Sequence, residues 1–477
     1  MTTPFHSKYW ANELTLLAAT GSIESLSRSI AGARVDLNPH QVDAALFALR
    51  SPLTRGVMLA DEVGLGKTIE AGIVIAQRWA ERRRRILIIV PATLRKQWQQ
   101  ELESKFYLPT TILDSKVASD LVNAGNANPL CMTDRLIVCS YHFASAKAQE
   151  INRVPWDLVV IDEAHRLRNV FRKSSKLARN IVAAVAQAQK LLVTATPLQN
   201  SLMELYGLAS VIDDHLFGDA TSFRDQFVRA VDERLRNAEL RDRLRLICIR
   251  TLRKQVVEYI PFTRRVPVTQ DFRPSDEEQA LYDSISVYLQ REDLIALPAS
   301  QRTLITLVLR KLLASSTFAI AKTLDRLVER LEGLTSLQGL FLDDEDVEGL
   351  DELQDEMEEQ EEEVEGEPQQ GDSRINPEKL KAELAELRGF AELARKISVN
   401  AKGEALIPGL KVAFERAGLL GAERKAVVFT ESRRTQQYLF DLLSDKGYKD
   451  QIVMMNGSNN DPHSSAIYSQ WRERHAG

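Results

Sequence analysis

The fold predicted for residues 33–260 is a doubly wound α/β domain built on a buried parallel sheet. Three observations predict it: short apolar runs without polar alternation, helix-patterned stretches between them, and a glycine-rich loop joining the first run to the first helix. A run that is apolar at every position suits a strand covered on both faces, as in a parallel sheet between helical layers. Alternation of such strands with helices is the pattern of α/β winding.

In chain order the runs are Gly56–Ala60 (GVMLA), Ile86–Val90 (ILIIV), Leu136–Cys139 (LIVC), Leu158–Ile161 (LVVI) and Leu191–Thr194 (LLVT). The intervening patterns predict helices, for example over Thr68–Arg85 and Leu94–Phe106. From about residue 270 to 335 leucines recur three and four positions apart, as at Leu309, Leu312 and Leu313 and at Leu324, Leu327 and Leu331. That spacing predicts helices with one apolar face. Asn376 and Pro377 read as an N-cap with proline at the first helical position, opening a helix with Leu380, Leu384 and Leu387 on one side. Strand-like runs return at Ala426–Phe429 (AVVF) and Ile452–Met454 (IVM). The expected division is an N-terminal extension at 1–32, the α/β lobe at 33–260 and a helical protrusion region at 261–342. It continues with an acidic linker at 343–375, a helical segment at 376–423 and the start of an incomplete second lobe at 424–477.

Charge is unevenly spread. Residues 343–367 hold sixteen Asp and Glu and no Lys or Arg; without them the formal charge of −5 becomes +11. A basic body suits a polyanionic partner. The acidic stretch has almost no apolar anchor and reads as a solvated linker, with a DNA-mimicking occupant of the basic cleft as the sharper alternative. Cys131, Cys139 and Cys248 form no CxxC pair and read as reduced thiols of a cytoplasmic protein. No signal peptide is recognisable, and no run of about 20 apolar residues would cross a membrane.

Two segments carry chemistry. After GVMLA comes Asp61-Glu62-Val63-Gly64-Leu65-Gly66-Lys67-Thr68 and then a helix, the strand–loop–helix context of a phosphate cradle. Gly64 and Gly66 allow a tight turn whose N–H groups point at phosphate oxygens, and the helix dipole adds to that field. Lys67 would reach the terminal phosphates and Thr68 would hold Mg2+. Asp61 stands where the general pattern has glycine. About 95 residues on, Asp162 and Glu163 of the DEAH sequence end the run LVVI, at the carboxyl edge where open parallel sheets bind ligands. Asp162 would bind the magnesium ion, and Glu163 would orient and deprotonate the attacking water.

These residues, together with Leu37-Asn38-Pro39-His40-Gln41, Val90-Pro91-Ala92-Thr93-Leu94 with Trp98, Thr194-Ala195-Thr196-Pro197-Leu198-Gln199-Asn200 and Phe429-Thr430-Glu431-Ser432, occur in one family order. The chain resembles the Swi/Snf-type ATPases of helicase superfamily two, in the bacterial branch that includes RapA-like proteins. Asp61 is then a family feature. The resemblance implies RecA-like, P-loop NTPase lobes, hydrolysis of ATP with Mg2+, and movement along double-stranded DNA. It places His40 and Gln41 at the nucleotide, with Gln41 bonding the adenine. It makes His165, Thr194 and Thr196 couplers of hydrolysis to lobe movement, and puts Thr93, Tyr141 and Thr430 near the nucleic-acid backbone. RapA-like members act on RNA polymerase and others serve in phage defence, so partner proteins of either kind are implied. The family's last two motifs do not appear before Gly477. The resemblance implies that those motifs contribute arginines contacting the phosphates, and because such arginines contribute roughly 10³–10⁵ to turnover, ATP binding with weak hydrolysis is expected.

Two other functions compete: an RNA-directed helicase of the same superfamily, and a non-catalytic nucleotide-sensing platform. Among remaining features, Arg82–Arg85 reads as a solvated run ending the helix after the phosphate loop. Trp98 reads as core packing.

Overall fold

The computed structural model describes most of residues 33–332 and 377–475, with Thr3, Pro4, Ser7, Lys8 and Leu26. Positions 51–54, 126–127, 173–174, 200, 231, 264–265, 292–293, 298–301, 398, 431 and 456–461 are not described. The acidic stretch 343–367, most of the 1–32 extension, and the Asn376 cap also lie outside the described residues. The chain forms two compact units, Met1–Arg264 and Arg265–Gly477.

Among its described residues the first unit is built on seven strands: β1 (Gly56–Leu59), β2 (Ile86–Val90), β3 (Thr110–Ile112), β4 (Leu136–Ser140), β5 (Leu158–Asp162), β6 (Lys190–Val193) and β7 (Cys248–Ile249). Their order across the sheet is β3-β4-β2-β5-β6-β1-β7, and every pair is parallel. All five predicted runs are strands of this sheet. Sequence reasoning missed the two edge strands, β3 and β7, because three and two residues are too short to show a pattern.

The continuous apolar runs are explained by what covers each face. Helices α1 (Pro39–Arg50), α2 (Lys67–Ala80) and α3 (Arg95–Phe106) share a core with Leu59, Ile86, Ile88, Val90 and Val160. The alternate residues Met58, Leu87, Ile89 and Ile161 point the other way. There they meet α4 (Ser115–Asn123), α5 (Tyr141–Ala146), α6 (Ala148–Asn152), α7 (Lys176–Ala184) and α8 (Leu202–Ile212). Each buried branched side chain contributes on the order of 2 kcal/mol, so both faces must be apolar.

Helix α2 ends at Ala80, five residues before the predicted stop. Arg82 takes a left-handed conformation (φ 66°), and Arg83 N–H closes on the Arg78 carbonyl at 3.0 Å, sealing the helix end. The arginine run is therefore the turn into β2 and not a helical terminus. Cys139 and Cys248 are unpaired thiols pushed up to about 12 by burial, which leaves them unreactive.

Helix α8 crosses the turn that follows β5 closely enough to require Gly207. A Cβ there would lie 1.8 Å from the Arg168 carbonyl oxygen. Gly207→Ala is expected to lower stability by about 3 kcal/mol, as overpacking against immobile backbone does. A chemical-denaturation midpoint equal to the parent's would contradict this.

The second unit is helical among its described residues: α9 (Asp276–Leu289), α10 (Arg302–Ser315), α11 (Thr317–Glu332), α12 (Pro377–Lys396), α13 (Ala401–Leu419), α14 (Arg433–Leu443) and α15 (Pro462–His475). Ser275 and Glu278 form a capping box that starts α9. The predicted leucine stripes meet in one core: Leu309, Leu312, Leu324, Leu327, Leu331 and Leu387 are buried in it, with Leu380 and Leu384 packed against it. The runs AVVF and IVM behave differently from expectation. They form no strand among the described residues, and Val427 and Phe429 are 79% and 91% exposed. A strand exists only when a neighbour takes up its N–H and C=O groups. No described strand of this unit does so.

Candidate nucleotide site

The phosphate loop lies between β1 and α2. Gly64 and Gly66 both adopt positive φ (83° and 91°). A Cβ on Gly66 would also sit 2.4 Å from Gln41 Nε2, so the Gln41 amide would have to shift. Lys67 opens α2, and its Nζ donates to the Asp61 carbonyl at 3.0 Å. Thr68 follows it, half-buried on the first turn. The Gln41 amide ties α1 to this loop: its oxygen accepts from Asn38 N–H at 3.1 Å, and its nitrogen donates to the Leu65 carbonyl at 2.9 Å. His40 Nε2 donates to the same carbonyl at 2.9 Å, and its Nδ1 faces the Tyr259 hydroxyl at 3.3 Å.

Asp61 does not serve as a turn residue. Its carboxylate accepts from Thr251 N–H at 2.6 Å, so it pins the segment after β7 to the loop. Arg253, which sequence reasoning did not single out, completes that clamp. Its N–H meets the Glu62 carboxylate at 2.8 Å, and its guanidinium donates twice to the Val63 carbonyl, at 2.9 and 2.7 Å. Glu70, buried one turn along α2, faces Asp61 across the same space. Burial, and then the Asp61 carboxylate beside it, push the Glu70 carboxyl up to about 9. His40, Asp61 and Glu70 bring ligand-type atoms within 4.8 Å of one another. Both His40 ring nitrogens are already engaged, by the Leu65 carbonyl and the Tyr259 hydroxyl.

Asp162 ends β5 and is 7% exposed. One carboxylate oxygen accepts from Glu163 N–H at 2.9 Å and the other from the Trp98 indole N–H at 2.7 Å. Burial raises its carboxyl to about 6, against the pull of those two bonds and of the Lys67 charge. Glu163 sits in the left-handed region (φ 51°), at a cost on the order of 1–2 kcal/mol for a residue with a side chain. Its carboxylate lies 3.2 Å from His165 Nδ1, and that contact is the main reason the carboxyl is held below its usual range. His165 Nδ1 is also 3.5 Å from Thr194 Oγ1, which in turn accepts from Thr196 N–H at 3.2 Å. Arg168 extends the link, donating to Gln199 at 2.7 Å beyond the TATP turn.

The sheet order brings these pieces together. β5, β6 and β1 are neighbours, so Asp162–Glu163, Thr194 and the phosphate loop leave the carboxyl ends of three adjacent strands. The Lys67 charge is felt by both Asp162 and Glu163. The donor set fits magnesium nucleotide: a glycine cradle that a Cβ would fill, a lysine, a helix N-terminus, and a hydroxyl and carboxylate as hard oxygen ligands.

Two expectations need correction. Tyr141 is 1% exposed, and its hydroxyl donates to the main-chain oxygens of Asp162 (2.6 Å) and Glu163 (3.2 Å). A phenol sealed beneath the acidic pair supports that turn and cannot touch a nucleic-acid backbone. Trp98 is buried as expected, but it is not packing alone, because its indole N–H is spent on Asp162. Thr93 is exposed in the short turn Ala92–Leu94 before α3, and Thr430 is half-buried in the second unit.

Residues 40–324 match the SNF2-related domain family. The chain belongs to the SNF2-related family. Among its relatives is an uncharacterized ATP-dependent helicase, YqhH, of Bacillus subtilis, 31% identical over 62% of this chain and 49% of that protein. The RNA polymerase-associated protein RapA of Pectobacterium carotovorum is 38% identical over 40% of this chain and 20% of that one. This SNF2-related chain thus matches about half the length of the first and a fifth of the second. The Sulfolobus solfataricus SWI2/SNF2 ATPase core in complex with dsDNA aligns over 63% of this chain and 65% of that one, at 19% identity and a TM-score of 0.42. A likeness of that depth supports no transfer of residue roles. Among the described residues no helix is long and apolar enough to cross a membrane.

Proposed function

We propose that the chain is the nucleotide-binding part of an ATP-dependent motor that acts on duplex DNA. The observation that carries this reading is the meeting of Lys67, Asp162–Glu163 and Thr194 at the ends of three adjacent parallel strands. Lys67 exchanges its Asp61 carbonyl for the terminal phosphates, while the loop N–H groups and the α2 dipole hold the rest of the chain of phosphates. His40 and Gln41 brace the loop, and the second N–H of the Gln41 amide reads the adenine. Thr68 and Asp162 hold Mg2+, which when bound offsets charge that develops on the transferred phosphoryl group. Glu163, ionised and aimed by His165, takes the proton of the attacking water. Thr194 and Thr196, one hydrogen bond away from His165, carry the change in that contact towards the TATP turn.

DNA as partner is supported by the basic remainder of the chain and by exposed Thr93 at the sheet's carboxyl edge. Backbone binding of this kind weakens steeply with salt and ignores base sequence. The RapA relatives make RNA polymerase the protein partner to test first. The helical core of the second unit fits the role of a protrusion.

Lys67→Ala tests the nucleotide site directly. Losing hydrogen bonds to a charged group predicts roughly 10–100-fold weaker binding of ATPγS with Mg2+ by calorimetry. Equal affinity would remove the reading. Greater stimulation of ATP hydrolysis by RNA than by duplex DNA would instead favour the RNA-directed alternative.

A further inference from the structure

We infer that Trp98 is a positioning residue for the Asp162 carboxylate, fixing the plane in which that carboxylate meets a metal ion. The inference rests on the nucleotide-site reading above, because it gives Asp162 a metal to meet. Its geometric basis is a buried pair: Trp98 is 1% and Asp162 7% exposed, and indole Nε1 donates to Oδ2 at 2.7 Å. Glu163 N–H holds Oδ1 at 2.9 Å, so the carboxylate is gripped at both oxygens by donors 64 and 1 residues away in sequence. A carboxylate offers about four acceptor positions, and two N–H bonds leave one lone pair on each oxygen for a cation. Tyr141 holds the main chain of the same residue from β4's end, so backbone and side chain are fixed by separate elements.

The opposing view is that Asp162 serves Trp98. The indole belongs to the inner face of α3 with Leu102 and Phe106, and a buried N–H without a partner costs about 1–3 kcal/mol. A backbone carbonyl would satisfy that need equally well. Choosing the one carboxylate that ends β5 places a charge-assisted bond on the reacting edge. Groups that hold metal-binding side chains in this manner typically contribute 10–100-fold to metal affinity.

The test uses the whole chain and separates nucleotide from metal. ATPγS affinity is measured calorimetrically with EDTA and again with Mg2+, in the parent and in Trp98→Phe, which keeps an aromatic ring and removes the donor. Trp98→Phe should bind metal-free nucleotide within about twofold of the parent and lose about tenfold or more of the gain from Mg2+. In the Asp162→Asn background, Trp98→Phe should change that gain no further, because without the carboxylate the indole has no metal ligand to orient. An undiminished gain in Trp98→Phe, or losses that simply add, would overturn the inference. A measurement on the unaltered protein guards against a folding defect in the variant. With 15N-tryptophan labelling, the Trp98 indole resonance of the nucleotide-bound protein should shift on adding Mg2+, and an unmoved resonance would also overturn it. Were the parent itself to gain nothing from Mg2+, the nucleotide-site reading would fail instead.

Discussion

Glu163→Gln is expected to lower ATP turnover by about 10²–10⁴-fold, the usual contribution of a positioned general base, while leaving ATP affinity within about twofold. The amide keeps the shape of the carboxylate but cannot accept the proton of water. Binding should survive because Lys67, the glycine cradle and Asp162 supply it. The His165 contact holds the Glu163 carboxyl below its usual range, so the base is ionised throughout neutral pH. Acid should instead act through Asp162, whose carboxyl stands at about 6 in the metal-free protein. The magnesium-dependent part of ATP binding is therefore expected to fall as pH drops through that value. Steady-state turnover and equilibrium binding, measured on the same preparation from pH 5 to 8, separate the two effects. Unchanged turnover in the variant would place the base elsewhere.

Glu70→Gln is expected to stabilise the protein. The parent carboxyl is raised by burial, with Asp61 opposing its ionisation and Lys67 favouring it; His40 also faces this space. A carboxyl whose pKa is higher folded than unfolded binds its proton more tightly in the fold. Its contribution to stability is therefore fully present below the unfolded value of 4.5 and is lost as pH rises through about 9. At pH 7 the loss is on the order of 3 kcal/mol. Glutamine is neutral at every pH and can still donate to Asp61, so the variant should melt several degrees higher at pH 7 and lose the decline between pH 6 and 9. A melting temperature that falls with pH as steeply as the parent's would exclude a neutral acid at this position.

The residues of the candidate site were legible because each sits at a pattern that physics repeats. A glycine-rich turn between strand and helix needs particular residues at particular positions, and DEAH ends a run whose apolarity marks a buried strand. The five long strands and the leucine stripes were legible for the same reason, since burial on both faces or on one leaves a count in the sequence. Short edge strands leave no such count. Nor does an apolar run reveal whether a neighbouring strand will join it, which is why AVVF and IVM read as strands and form none among the described residues.

What the sequence by itself determined is the set of groups on offer: a glycine-rich strand-to-helix loop at Gly64–Thr68, a carboxylate pair at Asp162–Glu163, and threonines at 194 and 196. What only the tertiary structure decided is who holds them. Strand order made β5, β6 and β1 neighbours although β2, β3 and β4 intervene along the chain. It brought Trp98 to Asp162 across 64 residues, Arg253 to Val63 across 190, and turned Tyr141 inward beneath the acidic pair. The physical reason is that a buried donor or charge must find a partner wherever the fold supplies one, and that partner's distance along the chain leaves no periodic trace.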